Sequence, residues 1–177
     1  AILAVIRDIS DRKEAEDRLR ERERIYRETI EASAGVPYIV RYGEEQEDFR
    51  YEYFGEGVEK ILDISAQELT PARFRAMVRK TTRWDSTETF DPSTMRGAFL
   101  RGEIEHFRMD ILLETPKGRF VWAQDCSTPI RDPQSGRVVG SIGILMDITE
   151  RKQAAHATAL QRDMEMRLNR AQNIQEE

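Results

Sequence analysis

Alternating apolar and polar residues divide the chain into five predicted strands. The first two, at residues 36–42 and 49–53, lie on either side of the polar turn EEQED and predict a hairpin. Three more segments alternate in the same way, at 107–114, 119–130 and 137–148, with the turns TPKG and DPQSG between them. The turns are short, so we expect these three strands to be antiparallel neighbours.

Between the hairpin and the later strands, the pattern changes to that of short helices. Four segments fit helices: VEKIL (58–62), SAQEL (65–69), ARFRAMV (72–78) and PSTMRGAFL (92–100). Ser65 and Asp91 are placed as N-caps of the second and fourth segments, and Pro92 suits a first helical position. Strands followed by helices and then by strands again predict an α+β domain.

Both ends of the chain have the composition of long helices. Between Asp8 and Glu31, 16 of 24 residues are charged, with pairs such as Glu14 and Arg18 at helical spacing. The C-terminal segment has an apolar heptad stripe formed by Ala157, Leu160, Met164, Leu168, Ala171 and Ile174. This stripe predicts a parallel coiled-coil homodimer, although so narrow a stripe could also dock on the domain's own sheet.

The pattern DISDRK at residues 8–13 returns as DITERK at residues 147–152. In both copies a β-rich stretch ends at an Asp and a charged helical segment follows, so the repeated unit is a strand, a hinge and a helix. We interpret the chain as four parts: the last-strand remnant and hinge of an upstream domain (1–10), a linker helix (11–34), one complete domain (35–149) and an exit helix (150–177). Alternatively, AILAVIR is an edge strand of the complete domain.

The second copy of the pattern predicts a hinge that transmits a signal from the sheet to the exit helix. Asp147 ends the last strand, and the hydroxyl of Thr149 is placed to cap the helix. Arg151 follows in the first turn, and Asp8 is the equivalent of Asp147 in the first copy. The alternative is that these residues only start a helix.

Composition excludes several classes of protein. The net charge is -5 and the sequence pI is about 5.3, which argues against a nucleic-acid-binding surface. The single cysteine, Cys126, cannot form an internal disulfide, and no apolar run approaches the roughly 20 residues that cross a bilayer. We therefore expect a cytoplasmic protein without direct membrane contact.

No motif predicts catalysis. His106 lies on the polar face of its strand and His156 lies in the exit helix, and neither is near a serine or cysteine in a nucleophile motif. The sequence contains no phosphate-binding glycine loop and no cluster of metal ligands. We expect that the chain is not an enzyme by itself and binds no metal.

Two stretches resemble PAS sensor domains. YEYFGEGVEKILDISAQEL is similar to the second strand and first helix of that family, and KGRFVWAQDCSTPIRDPQSGRVVGSIGILMDITERK is similar to its C-terminal PAC motif. The resemblance covers nearly all of residues 35–152. It implies a five-stranded antiparallel sheet in the order 2-1-5-4-3, with short helices on one face and long helices flanking the domain. The segment MVRKTTRWDSTETFDP departs from the compact turn that many relatives have there.

The resemblance also implies a pocket for a small molecule. The residues expected to line it are Tyr38, Tyr53, Phe74, Met77, Met109, Ile111 and Trp122; alternatively, they only fill the core. Cys126 lies in a late strand rather than in the helical middle section, which argues against a covalently attached flavin. The helical segment before the third strand has no histidine, which argues against haem bound as in haem-binding relatives. The cofactor, if any, stays open.

The function implied by the resemblance is that of a sensory relay module. The tail MRLNRAQNIQEE resembles the lead into the phosphoacceptor helix of some sensor histidine kinases of two-component systems. We therefore expect an upstream PAS domain and a downstream output domain in the same chain, most simply a histidine kinase. The alternatives are a module of a diguanylate cyclase or a transcriptional regulator, or a ligand-free dimerisation spacer.

Overall fold

One antiparallel sheet of six strands organises the domain. The computed structural model describes residues 2–32, 34–43, 49–84 and 92–175. The strands are β1 (Gly35–Tyr42), β2 (Phe49–Phe54), β3 (Val78–Arg83), β4 (Phe107–Glu114), β5 (Phe120–Arg131) and β6 (Val138–Asp147). Their spatial order is β2-β1-β6-β5-β4-β3. The predicted α+β class with an antiparallel sheet is confirmed.

The described residues form five helices beside the sheet. They are α1 (Ile2–Ala32), α2 (Val58–Leu62), α3 (Pro71–Met77), α4 (Pro92–Leu100) and α5 (Thr149–Gln175). The start of α3 is fixed by its sequence, because Thr70 accepts a hydrogen bond from the amide of Arg73 at 3.2 Å and Pro71 occupies the first turn. The short helix α2 ends at Leu62, and the next residue, Asp63, caps it in a left-handed conformation with φ 55°.

The expectation of five strands was wrong because the residues directly after α3 form an additional strand, β3. Val78–Arg83 pairs with the free edge of β4 and extends the sheet by one strand. Val78, Thr81 and Thr82 are β-branched, which favours a strand, and Thr81 and Thr82 are buried. The five predicted strands keep the predicted relative order, and β3 adds to their outer edge.

A β-bulge in β2 changes which aromatic residues face the helices. Ile39 pairs with Tyr53 whereas Val40 pairs with Tyr51, so Glu52 is an extra residue in β2. The alternation therefore shifts by one position after Tyr51. Phe54, rather than Tyr53, is buried at the end of the strand.

The core lies where α2 and α3 cover the sheet. Leu62 of α2, together with Leu113 of β4 and Val121 of β5, is completely buried. Burial of one such side chain stabilises the fold by about 1.5–3 kcal/mol. Residues 107, 109, 111 and 113 of β4 face the helices, as their alternation predicted, while residues 108 and 110 face the other side.

Two local predictions need correction. Residues 65–69 form a turn rather than a helix, in which the amide of Glu68 donates to the carbonyl of Ser65 at 3.1 Å. The hydroxyl of Ser65 is bonded to the carboxylate of Glu68 at 3.0 Å, so it caps no helix. The other predicted cap, Asp91, lies outside the described residues.

The expected strand over residues 1–7 was also wrong, because residues 2–7 form the first two turns of α1. A helix satisfies its backbone hydrogen-bonding groups within the segment, whereas a strand needs a neighbouring strand to pair with. Whether this segment derives from an upstream domain stays a prediction. In the part of the chain that the structure describes, no helix is both long and apolar enough to span a bilayer.

Candidate functional site: a polar-ended cavity and an exit hinge

A cavity of about 520 Å³ lies between the sheet and helices α3 and α4. Its aromatic wall comes from β1 and β2 and consists of Tyr38, Tyr42, Phe49, Tyr51 and Phe54. These rings support one another: Tyr38 stacks on Phe54 with centroids 5.4 Å apart, and Tyr51 meets Phe54 edge to face at 5.1 Å. The volume is within the range of small-molecule sites.

The structure brings four of the seven predicted pocket residues to the cavity wall and places three elsewhere. Tyr38, Phe74, Met109 and Ile111 line the cavity. Met77 is buried in the core beside it. The bulge in β2 turns Tyr53 outward, where it is 51% exposed. Trp122 lies on the opposite face of β5, against the start of α5.

The cavity contains a carboxylate that the sequence analysis did not select. Asp125 of β5 opens onto the cavity and accepts a hydrogen bond from the hydroxyl of Tyr38 at 2.5 Å. Burial raises the pKa of Asp125 to about 6, although the bond from Tyr38 acts in the opposite direction. Burial, followed by the nearby carboxylate, also holds the pKa of Tyr38 well above its usual value. The available signal was the alternation of β5, which places Asp125 on the same face as Val121 and Ala123.

A glycine gives Tyr38 the room to reach this carboxylate. A Cβ atom at Gly143 of β6 would lie 2.5 Å from the hydroxyl oxygen and from Cζ of Tyr38. It would also lie 2.8 Å from the backbone oxygen of Cys126. The bond between Tyr38 and Asp125 therefore depends on the absence of a side chain at residue 143.

Two arginines give another part of the cavity a positive charge. The guanidinium groups of Arg75 and Arg96 lie over the ring of Phe49, at 5.5 and 4.8 Å from its centroid. Arg96 also lies 5.8 Å from the ring centroid of Tyr42. Arg75 is on α3 and Arg96 is on α4, so both helices that cover the cavity contribute a cation.

Three hydrogen bonds fix the hinge between β6 and α5. The amide of Ile148 donates to the carbonyl of Trp122 at 2.8 Å, and the amide of Trp122 donates to the hydroxyl of Thr149 at 3.0 Å. The amide of Thr149 in turn donates to the carboxylate of Asp147 at 2.8 Å. The expected N-cap role of Thr149 was therefore wrong. The carboxylate of Asp147 accepts the hydrogen bond from the first amide of α5, and the hydroxyl of Thr149 connects the helix to β5.

An ion pair adds a fourth connection that the sequence analysis missed. Nζ of Lys152 lies 2.6 Å from a carboxylate oxygen of Asp110, which is fully buried. Gln124 donates to the other oxygen at 2.8 Å, and Lys152 lies 5.0 Å from the ring centroid of Trp122. Arg151, the predicted hinge residue beside it, is exposed, and the side chain of Asp8 lies outside the described residues. In the sequence, the only sign of this pair was a lysine in the first turn of α5 and an aspartate at a polar position of β4.

The heptad stripe of α5 does not dock on the sheet as far as its side chains are described. Ala157 is exposed, and Leu160 and Met164 are 52% and 64% exposed. The side chains of Leu168, Ala171 and Ile174 lie outside the described residues. His106 and His156 are exposed, and the described residues contain no group of three potential metal ligands.

Comparisons with known proteins give structural relatives only. No family model matches the sequence, and no curated protein matches it. The N-terminal domain of a diguanylate cyclase with PAS/PAC sensor from Marinobacter aquaeolei is similar over 67% of this chain and 98% of its own, at 19% identity and a TM-score of 0.52.

Two further solved structures match a larger share of the chain. A sensory box histidine kinase/response regulator from Burkholderia thailandensis covers 80% of this chain and 98% of its own, with 16% identity and a TM-score of 0.55. An RNA-binding light-oxygen-voltage receptor covers 80% of this chain and 38% of its own, with 19% identity and a TM-score of 0.52. With the order of the sheet and the position of the cavity, these likenesses establish that the chain has the PAS fold.

Proposed function

We propose that the chain is a sensory relay module that passes a change in its cavity to an output domain through α5, and that the output is a histidine kinase. The observation that carries this proposal is the continuity between the cavity and the hinge. Asp125 of β5 lines the cavity, and Trp122, three residues earlier in the same strand, is bonded to the start of α5. Leu145 of β6 lines the cavity two residues before Asp147.

A small movement of either strand therefore reaches the helix directly. Four connections join α5 to the sheet within its first turn or just before it, and none passes through a flexible loop. A ligand shifts such an element only if it binds one of two arrangements more tightly than the other. Homodimerisation through α5, a cytoplasmic location and neighbouring domains in a longer chain belong to the same proposal.

The histidine-kinase output is favoured over the alternatives by the tail of the sequence. MRLNRAQNIQEE resembles a lead into a phosphoacceptor helix. One similar structure belongs to a histidine kinase and another to a diguanylate cyclase, so the fold serves proteins of both kinds. In a longer chain containing these residues, phosphate on a histidine after incubation with ATP would support the kinase, and production of cyclic diguanylate from GTP would contradict it.

Native mass spectrometry of the purified chain tests the sensory role. We expect a bound small molecule, and we expect its release to increase hydrogen exchange at the amides of Ile148 and Lys152, which are bonded in the hinge. Ser127 lines the cavity, so Ser127→Phe should fill it and prevent binding. A dimer that never carries a ligand, and whose hinge exchange is the same in the parent chain and in Ser127→Phe, would favour the dimerisation spacer instead.

A further inference from the structure

We propose that the cavity selects an aromatic zwitterion, with a protonated amine at the Asp125 end and a carboxylate or phosphate at the arginine end. This inference rests on the proposed function and specifies the class of ligand. It follows from three features of the cavity lining: a carboxylate without a cationic partner among the described residues, two arginines and an aromatic wall.

The carboxylate of Asp125 lacks a cationic partner among the described residues. Its hydrogen bond comes from the neutral hydroxyl of Tyr38, and no lysine or arginine of the described segments forms an ion pair with it. A half-buried carboxylate without a cation is costly, and its pKa of about 6 reflects the loss of water around it. A ligand ammonium group would supply the missing charge and donate a charge-assisted hydrogen bond.

The other charged part of the cavity has the opposite sign. The guanidinium groups of Arg75 and Arg96 lie over the same ring of Phe49, so two positive charges converge on one part of the wall. Guanidinium groups bind carboxylates and phosphates through paired N–H donors. An anionic group on the ligand would accept hydrogen bonds from these guanidinium groups.

Two tyrosines of the aromatic wall are within electrostatic reach of both charged parts. Burial and then the charge of Asp125 raise the pKa of Tyr51, while Arg75 acts to lower it, so its hydroxyl is within electrostatic reach of both. Burial is the main cause that raises the pKa of Tyr42; the charge of Arg96 acts to lower this pKa and that of Asp125 acts to raise it. A flat ligand along this wall would stack on aromatic rings and place one charge near each end.

Ligands of simpler charge fit less well. A simple cation would pair with Asp125 but would be repelled by the two arginines. A simple anion would pair with the arginines but would be repelled by Asp125. A neutral apolar molecule would remove water from the carboxylate without replacing its hydrogen bonds. The separation of the charges therefore favours a ligand that carries both.

Isothermal titration calorimetry with matched probes tests the inference. The zwitterions are para-(aminomethyl)benzoate and its biphenyl homologue, and the comparators are the amines and carboxylates that lack one of the two groups. At about pH 7.5 the amine is protonated and Asp125 is ionised. We expect at least one zwitterion to bind about tenfold or more tightly than both of its comparators.

The variants assign each charge to its end. Asp125→Asn should remove the advantage contributed by the amine, and the double variant Arg75→Gln/Arg96→Gln should remove that contributed by the carboxylate, each by about tenfold. Arg162→Gln and Asp163→Asn, on the exposed surface of α5, are the matched controls and should leave every affinity unchanged. Thermal unfolding of each variant establishes that it folds.

The inference is overturned if neither zwitterion binds, if a singly charged comparator binds as tightly, or if Asp125→Asn binds the amine as the parent does. If a neutral molecule copurifies with the chain and none of the probes binds, the ligand class is wrong while the sensory role stands. If nothing occupies the cavity under any condition and the hinge never responds, the sensory role itself fails.

Discussion

The carboxylate of Asp125 makes the stability of the domain depend on pH. Its pKa is about 6 in the folded chain and 3.8 when the carboxyl is in water, as in the unfolded chain. Between these pH values the folded state therefore binds the proton more tightly than the unfolded state does. The contribution of Asp125 to the free energy of unfolding should therefore be most favourable below about pH 4 and should decrease as the pH rises to about 6.

Removing the charge should remove this dependence. Asp125→Asn keeps an acceptor for Tyr38 and should increase the free energy of unfolding by about 2 kcal/mol at pH 7, with little effect at pH 4. Urea unfolding at both pH values measures the difference, with Asp163→Asn as the control. Equal effects of Asp125→Asn at the two pH values would contradict the assignment of the raised pKa.

Gly143 should tolerate no side chain. In Gly143→Ala the new Cβ would meet the ring of Tyr38 and the backbone of Cys126, so we expect a loss of about 2–3 kcal/mol and a weaker bond between Tyr38 and Asp125. Thermal unfolding measures the loss. Gly97→Ala is the control: it lies inside α4, its Cβ would meet only the end of the Arg101 side chain, and it should stabilise by about 0.5–1 kcal/mol. Similar effects of both changes would contradict the packing argument.

At the residue scale, alternation predicted the face of a side chain only where the strand is regular. It placed Met109 and Ile111 correctly, because β4 pairs without interruption. It placed Tyr53 incorrectly, because one extra residue in β2 reverses the faces beyond it, and a bulge has no reliable signature in a single sequence. Asp125 was overlooked because a carboxylate in a strand is ordinarily assigned to solvent.

The elements were easier to predict than their ends and edges. The helix 92–100 and the strands from residue 107 onward were predicted to within two residues, because caps, turns and alternation agree there. β3 was missed because its residues continue the helical pattern of α3, and only the free edge of β4 makes a strand favourable. Pairing with a distant strand is not visible in the local sequence.

The ion pair between Lys152 and Asp110 should stabilise the junction of α5 with the sheet. Lys152→Met would leave the buried carboxylate of Asp110 without a cation, and we expect a loss of about 3 kcal/mol in the free energy of unfolding. Chemical denaturation measures it. Arg151→Met, the exposed neighbour, should change stability by less than about 0.5 kcal/mol. The double variant Lys152→Met/Asp110→Asn should recover part of the loss, and no recovery would show that the contribution of Lys152 is not electrostatic.

At the scale of the whole molecule, the stripe on α5, which is exposed at Ala157, Leu160 and Met164, predicts a dimer. Leu160→Glu would place a charge in the proposed seam and should convert a dimer into a monomer in sedimentation velocity experiments. Met166→Glu is the matched control, because Met166 is 59% exposed and lies on another face of the helix. A parent chain that is already monomeric, or equal dissociation of both variants, would contradict a dimer through this stripe.

The order of the strands was predictable from the resemblance to PAS domains, whereas the chemistry of the cavity was not. Motifs such as the DITERK segment, on which the resemblance rests, mark turns and strand ends and therefore follow the path of the backbone. The combination of Asp125, Gly143 and two arginines brings together residues of β5, β6, α3 and α4, which meet only in the folded chain. Such long-range neighbours leave no pattern in one sequence.

The rigid start of α5 has a geometric consequence. At about 1.5 Å per residue, its 27 residues extend about 40 Å from the sheet. A tilt of about 5° at the hinge would carry the far end of a straight helix of that length through about 3.5 Å, which exceeds the shifts of about 1–2 Å by which helices commonly switch at subunit interfaces. If the strands move as proposed, a movement too small to disturb the core would become a displacement of several ångströms at the far end of α5.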